Sequence, residues 1–154
     1  MSKTDIPLKL LVRDFAADFV AWLLDVDITR VRHVRPLNIE LPASAMRSDT
    51  LFYVTLASGE QTLFHVEFQG RSSEHPMPMR MLDYISRLVQ RGQAEGADGP
   101  PPSMCSAVLY VGDGAGTDDE GHYEITCPGG GVTLAWHYRV IRLWEMRAEE
   151  TRRY

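Results

Sequence analysis

The sequence predicts an α/β domain. Three observations carry this. Two segments space their apolar residues at helical intervals. Several short runs of β-branched and aromatic residues are separated by Gly, Pro and Ser turn signals. The 154 residues are 44% hydrophobic and 24% charged, as in ordinary globular chains. A chain of this length fits a single domain over 1–154 and buries enough surface to fold without disulfides or structural metal.

Each element follows from local pattern. Over residues 8–25, Leu8, Leu11, Phe15, Phe19, Trp22 and Leu23 recur at three- and four-residue steps and predict an amphipathic helix. Arg30, Arg32, His33 and Arg35 form a basic stretch ending at Pro36, read either as a solvated linker or as a contact for a phosphate backbone. Leu37 to Leu41 is a short extended segment stopped by Pro42. Thr50 to Leu56 and Thr62 to Gln69 read as strands of an antiparallel hairpin turning at Ser58-Gly59. Residues 77–91 return to helical spacing through Met77, Met81, Leu82, Ile85, Leu88 and Val89, with Pro76 and Pro78 suited to the first turn.

A Pro/Gly-rich loop is expected over 92–103, and a buried-type strand from Cys105 to Val111. The segment GDGAGTDDEG (112–121) reads as a solvated, mobile loop. Tyr123 to Cys127 and Val132 to Leu143, joined by PGGG, predict a final hairpin, and Trp136, Tyr138 and Trp144 read as core or oligomer-facing residues. The coarse order is α, β, β, β, α, loop, β, then ββ.

Composition narrows the function classes. The longest apolar run, Phe19 to Leu24, is far short of a membrane span, which needs about 18 residues. The start, MSKTDIPLKL, lacks the apolar core of a leader, and two cysteines, Cys105 and Cys127, make no disulfide framework. The expectation is a cytoplasmic protein without a membrane partner. Net charge is −5, but residues 92–126 hold seven acids and no Lys or Arg; −5 against −7 leaves +2 for the rest. That balance neither excludes nor supports a basic groove.

The segment Leu63 to Gln69, LFHVEFQ, carries the most chemistry. Period-two alternation sends Phe64, Val66 and Phe68 to one face and His65, Glu67 and Gln69 to the other. An ionised Glu away from water is costly unless paired or bound to metal. Asp49 begins the preceding strand, and positions 49 and 67 are about symmetric around the Ser58-Gly59 turn, so pairing through that turn brings them to one end of the hairpin. Two close carboxylates repel, and a divalent cation such as Mg²⁺ or Mn²⁺ removes the conflict. The alternative is that Glu67 is a solvated residue on an open face.

Asp49, Glu67-Phe68-Gln69, and Arg80 and Tyr84 in PMRMLDYISRLV together resemble the PD-(D/E)XK nucleases. The closer resemblance is to the recombination-promoting, transposase-like nuclease branch (Rpn), in which a strand ending HIE-x-Q precedes a helix bearing R-x-x-x-Y. The matching residues are His65-Val66-Glu67-Phe68-Gln69 and Arg80-Met81-Leu82-Asp83-Tyr84, and the likeness runs from about residue 8 to about 112.

The resemblance implies a restriction-endonuclease-like αβββαβ core, its mixed central sheet flanked by helices, with an additional C-terminal hairpin. It implies a Mg²⁺- or Mn²⁺-dependent DNA endonuclease; nucleases that cut both strands are often dimers, so a homodimer is one open arrangement. Asp49 and Glu67 would be the metal-binding acids and the Phe68 carbonyl a third ligand. Gln69 would stand where the wider superfamily has lysine, a neutral amide able to orient water. An additional acid would come from Asp14, Asp18 or Glu40. Arg80 reads either as a phosphate contact or as a structural ion-pair partner. Tyr84, one turn on, reads as packing, and His65 as a structural strand histidine.

The acids of 112–121 do not follow a calcium-loop order, and the histidines and cysteines lack zinc-ligand spacing. The competing function class is a catalytically inactive nuclease-fold module for protein interaction or oligomerisation. The acidic net charge and the missing lysine favour it.

Overall fold

A computed structural model describes residues 5–37, 50–70, 75–94 and 103–147. Helices α1 (Asp5–Asp14) and α2 (Ala16–Leu24) come first, then a single 3-10 turn at Ile28–Arg30. Strands β1 (Val31–Pro36), β2 (Thr50–Leu56) and β3 (Gln61–Gln69) follow. Helix α3 (Met77–Ala94) leads to β4 (Ser103–Tyr110). The hairpin β5 (His122–Thr126) and β6 (Val132–His137) precedes β7 (Arg139–Arg142).

Five strands form one sheet in the order β1-β2-β3-β4-β7. The β1–β2 and β2–β3 pairs are antiparallel, whereas β3–β4 and β4–β7 are parallel. The protein is therefore a mixed α/β fold with a central sheet flanked by helices. The turn between β2 and β3 uses Gly59 at φ 89°, a conformation that costs a residue without Cβ little.

Strand β3 is central and covered on both faces. Val12 of α1 and Val20 and Leu23 of α2 pack on Phe52, Val54, Phe64, Val66, Phe68, Ala107 and Leu109. On the opposite face, Met77, Met81 and Tyr84 of α3 pack with Val108, Tyr110, Trp136 and Tyr138. Trp136 and Tyr138 are buried, as expected, and the Trp136 indole donates to the Pro78 carbonyl at 2.9 Å. No helix among the described residues is long and apolar enough to cross a membrane.

Three elements differ from the sequence expectation. The helix over 8–25 is two helices, broken at Phe15 (φ −115°, ψ 37°). Leu11 and Phe15 are exposed at 55% and 58%; of the expected stripe Leu23 is buried and Phe19 and Trp22 pack against the core, which Val12 and Val20 also fill. The basic stretch is neither linker nor loop but the edge strand β1, in which Val31 and Val34 rest on the core while Arg32, His33 and Arg35 face solvent. The bulge between Val31 and His33 breaks strict alternation, which hides the strand from a period-two reading. The expected extended segment 37–41 lies, past Leu37, outside the described residues. Finally, 132–143 divides at Tyr138, so that β7 leaves the hairpin and joins the main sheet beside β4.

Candidate active site

The face of β3 turned to α3 carries His65 and Glu67, which are 0% and 1% exposed. Burial decides one alternative at once: Glu67 is not a solvated acid on an open face. Its countercharge is Arg80, in the first turns of α3, with a side chain only 13% exposed. The guanidinium acts as a fork. Nη2 donates to Glu67 Oε1 and Nη1 donates to Gln69 Oε1 at 2.7 Å. Two side chains from the same face of β3 are thereby tied to one cation. Of the two readings for Arg80, the described contacts are those of an internal ion pair.

His65 lies beneath this pair. Its ring stands 4.8 Å from that of Tyr84, which is itself buried on α3. Neither ring nitrogen finds a hydrogen-bond partner among the described residues. Burial, and then the positive charge of Arg80, pull its pKa down to about 4, so the imidazole is neutral near pH 7. Ser106 is its register partner on β4, and the Ser106 hydroxyl is likewise buried and unpartnered among the described residues. Asp83 accepts from Arg87 Nε at 2.8 Å on the outer part of the same helix.

The remaining expected residues are scattered or undescribed. Asp49 and Glu40 lie outside the described residues. The β2–β3 register runs to Thr50↔Val66, the pair next to positions 49 and 67. Asp14 is exposed and ion-paired with Arg13 at 3.6 Å, and Asp18 is exposed on α2. Both belong to helices packed on the Phe64 face, not on the Glu67 face. The Phe68 side chain is buried in that first core.

No three of His, Cys, Asp or Glu among the described residues gather into a metal-binding group. The described part therefore fits a divalent cation incompletely: it offers one buried carboxylate, whose charge Arg80 already balances.

Gln69 opens onto a cleft of about 510 Å³ at the C-terminal ends of the parallel strands β3 and β4. Its walls are Gly70, His75, Pro76, Met77, Tyr110 and residues 113–119. Open α/β sheets place ligand sites at such strand ends. Gly112 makes this closure feasible: a Cβ there would meet the Gly70 carbonyl oxygen at 1.8 Å. No family model matches the chain, and neither the curated proteins nor the solved structures compared with it contain a similar one.

The loop over 112–121 corrects the sequence reading of a mobile segment. Asp119 accepts from the phenols of Tyr110 at 2.5 Å and Tyr138 at 2.6 Å, and from the Gly121 amide at 3.0 Å. Arg142 donates to the Gly116 and Asp119 carbonyls at 2.7 and 2.8 Å, and the Trp144 indole to the Ala115 carbonyl at 3.0 Å. Burial first, and the Asp119 carboxylate second, raise the pKa of both phenols, which stay protonated donors. Sequence reasoning missed this cluster. Its signal was there in two tyrosines and an arginine flanking a glycine-rich acidic run, but the partners lie up to 29 residues apart.

Asp119→Ala strips the acceptor from two phenols at once. It is expected to lower stability by about 2 kcal/mol, in line with the loss of charge-assisted hydrogen bonds at a half-buried site. Urea denaturation should show a lower midpoint at unchanged slope. An unchanged midpoint would show that solvent replaces the carboxylate.

Proposed function

We propose that the chain is a divalent-cation-dependent DNA endonuclease of the PD-(D/E)XK type, closest in its motifs to the transposase-like Rpn branch. One observation carries the reading. Glu67-Phe68-Gln69 ends a central strand that pairs antiparallel with the strand beginning just after Asp49, and the next helix brings Arg80 onto the same acid. An acid held this deeply, two residues from a cleft, is a costly arrangement that packing alone does not require. The order α1, α2, β1, β2, β3, α3, β4 agrees with the αβββαβ core that the resemblance implies.

On this reading Asp49, Glu67 and the Phe68 carbonyl would hold the metal. When bound, a divalent cation would polarise a phosphoryl oxygen and supply hydroxide near neutral pH. The chain's own groups do the rest. Gln69, at the cleft, orients water through its amide. Phosphodiester hydrolysis adds that water oxygen to phosphorus and breaks one ester P–O bond, and the alkoxide leaves with a proton. The cleft walls carry Asp113, Asp118 and Asp119, so a polyanion approaches only when cations offset them.

The test is plasmid cleavage with Mg²⁺ or Mn²⁺. The wild type should nick or linearise DNA, and Glu67→Gln and Asp49→Asn should fall to the background rate while remaining folded. Equal cleavage by wild type and both variants, or none by any, would end the assignment.

A second reading, the inactive interaction module, has an observation of its own. The β5–β6 hairpin exposes Tyr123, Ile125, Val132 and Leu134 at 40–54%. Such a patch suits a protein contact, a second copy included. Under this reading cleavage is absent, whereas Ile125→Lys disrupts a complex seen by size-exclusion chromatography.

A further inference from the structure

We propose that the edge strand β1 is a docking surface for the phosphate backbone of a nucleic acid, with Arg30, Arg32 and Arg35 as its cations and Arg35 held ready by Tyr53. The inference goes beyond the cleavage reading and does not depend on it, because Asp49, Glu67 and Gln69 take no part.

The charge is concentrated and uncommitted. Arg30, Arg32, His33 and Arg35 fall within six residues, and all four are exposed. The bulge brings this about. Val31 stands opposite Leu56 and His33 opposite Thr55, which leaves Arg32 as the extra residue between them. One more cation thus reaches solvent while Val31 and Val34 both stay on the core. Among the described residues the ion pairs join other side chains, and none includes these three arginines. Asp27, the acid just before them, instead accepts from the Thr29 amide at 2.9 Å and the Thr29 hydroxyl at 2.6 Å.

Arg35 is preset. Its guanidinium carbon lies 5.6 Å from the centre of the ring of Tyr53, its register partner on β2. The phenol is fixed in turn, donating to Gln61 Oε1 at 2.5 Å. A guanidinium stacked on a ring keeps N–H donors for a phosphate and gives up less side-chain freedom on binding.

The field favours the same face. Net charge is −5, but the acids of the 112–121 loop follow β4, and Arg142 of β7 holds that loop by its carbonyls. In the order β1-β2-β3-β4-β7, three strand spacings, roughly 14 Å, separate β1 from β4. That exceeds the screening length of ~8 Å at physiological salt, so a polyanion meets β1 as a positive edge. The edge is ill suited to the other acidic partners. A peptide adding as a further strand meets the bulge at Arg32 and then Pro36, which has no N–H to give. Stable attachment to a membrane takes an apolar anchor besides charge, and the exposed side chains of β1 are Arg32, His33, Arg35 and Pro36.

Fluorescence anisotropy with a short labelled DNA duplex of mixed sequence, and with one of its single strands, tests this in chelator, where binding is read without cleavage. Wild type should bind, and the form bound more tightly is the one the edge fits. On the duplex, three phosphate contacts predict a slope of log K against log salt near about −2.7, at −0.9 per contact. The double variant Arg32→Gln with Arg35→Gln should bind at least tenfold more weakly at about 50 mM salt and lose about 1.8 from that slope, while its circular dichroism stays that of the folded protein. Tyr53→Leu keeps every charge and should weaken binding with the slope unchanged. Arg13→Gln, the same charge change on an exposed residue of α1, should bind as wild type does, and so should Glu67→Gln. No binding by wild type at low salt, or equal losses in Arg13→Gln and the double variant, overturns the proposal and leaves the cleavage reading standing. Arginine-dependent binding to phosphatidylserine vesicles, with none to either nucleic acid, assigns the edge to a lipid surface and overturns it too. Binding without cleavage under Mg²⁺ or Mn²⁺ ends the nuclease reading alone.

Discussion

Arg80→Met should cost about 3–5 kcal/mol of folding stability in the metal-free protein, the usual penalty for removing one member of a buried ion pair. The methionine keeps most of the length of the arginine stem but supplies no charge. Glu67, 1% exposed, is then left without the cation that now faces it. The result expected from urea denaturation at pH 7 is a strongly lowered midpoint at similar slope.

The double variant Glu67→Gln with Arg80→Met removes both charges. It should lose clearly less than the two single changes added together, because an uncharged pair of similar volume has no ionic desolvation to offset. Additive losses would mean that the two side chains do not act on each other, and the assignment of Arg80 as the counter-cation would fall. A loss below about 1 kcal/mol for Arg80→Met would place the pair in the class of solvent-relieved surface bridges.

The parts of the fold legible in sequence are those whose cause is local. Strands β2 and β3 and the turn at Ser58-Gly59 follow from β-branched alternation and turn chemistry, and the observed register, Thr50↔Val66, lies within one residue of symmetry about that turn. Helix α3 follows from the spacing of Met77, Met81 and Leu88, and all three are buried.

What escaped is non-local. Phe15 fits the apolar stripe by spacing, yet it sits at the break between α1 and α2 and points to solvent. Strand β1 is masked by three basic residues because an edge strand needs only Val31 and Val34 on the core. Strand β7 departs from the hairpin because pairing with β4 offers Val140 and Ile141 partners that a longer ribbon would leave in water.

The site divides the same way. The face shared by His65, Glu67 and Gln69 is a property of period two and was readable. That Arg80 would turn inward onto two of them depends on how α3 lies across the sheet, which spacing within α3 does not determine. The Asp119 cluster joins β4, the 112–121 loop, Tyr138 and β7, four segments with no common periodicity.

Acid should unfold the metal-free protein through His65 before the carboxylates complete the process. The imidazole titrates near 6.5 in the unfolded chain and at about 4 in the fold, because its charged form is shut away from water and lies by Arg80. A depressed folded pKa means that the unfolded chain takes up the proton first. The stability linked to His65 is therefore whole above pH 6.5 and drains as pH falls towards 4, by about 2 kcal/mol at pH 5 and about 3 kcal/mol at pH 4.

The groups facing it are Tyr84 and Arg80 from α3, Ser106 from β4 and Glu67 along its own strand, and Arg80 adds repulsion to the protonated form. His65→Phe replaces the ring with one of similar shape that has no nitrogens to leave unpartnered. Measured in chelator by urea denaturation at pH 7, 6, 5 and 4, the difference in stability between wild type and His65→Phe should shift by those amounts in favour of the variant as pH falls. Parallel pH profiles for the two proteins would mean that His65 charges as easily folded as unfolded, and that the layer between β3 and α3 is open to water.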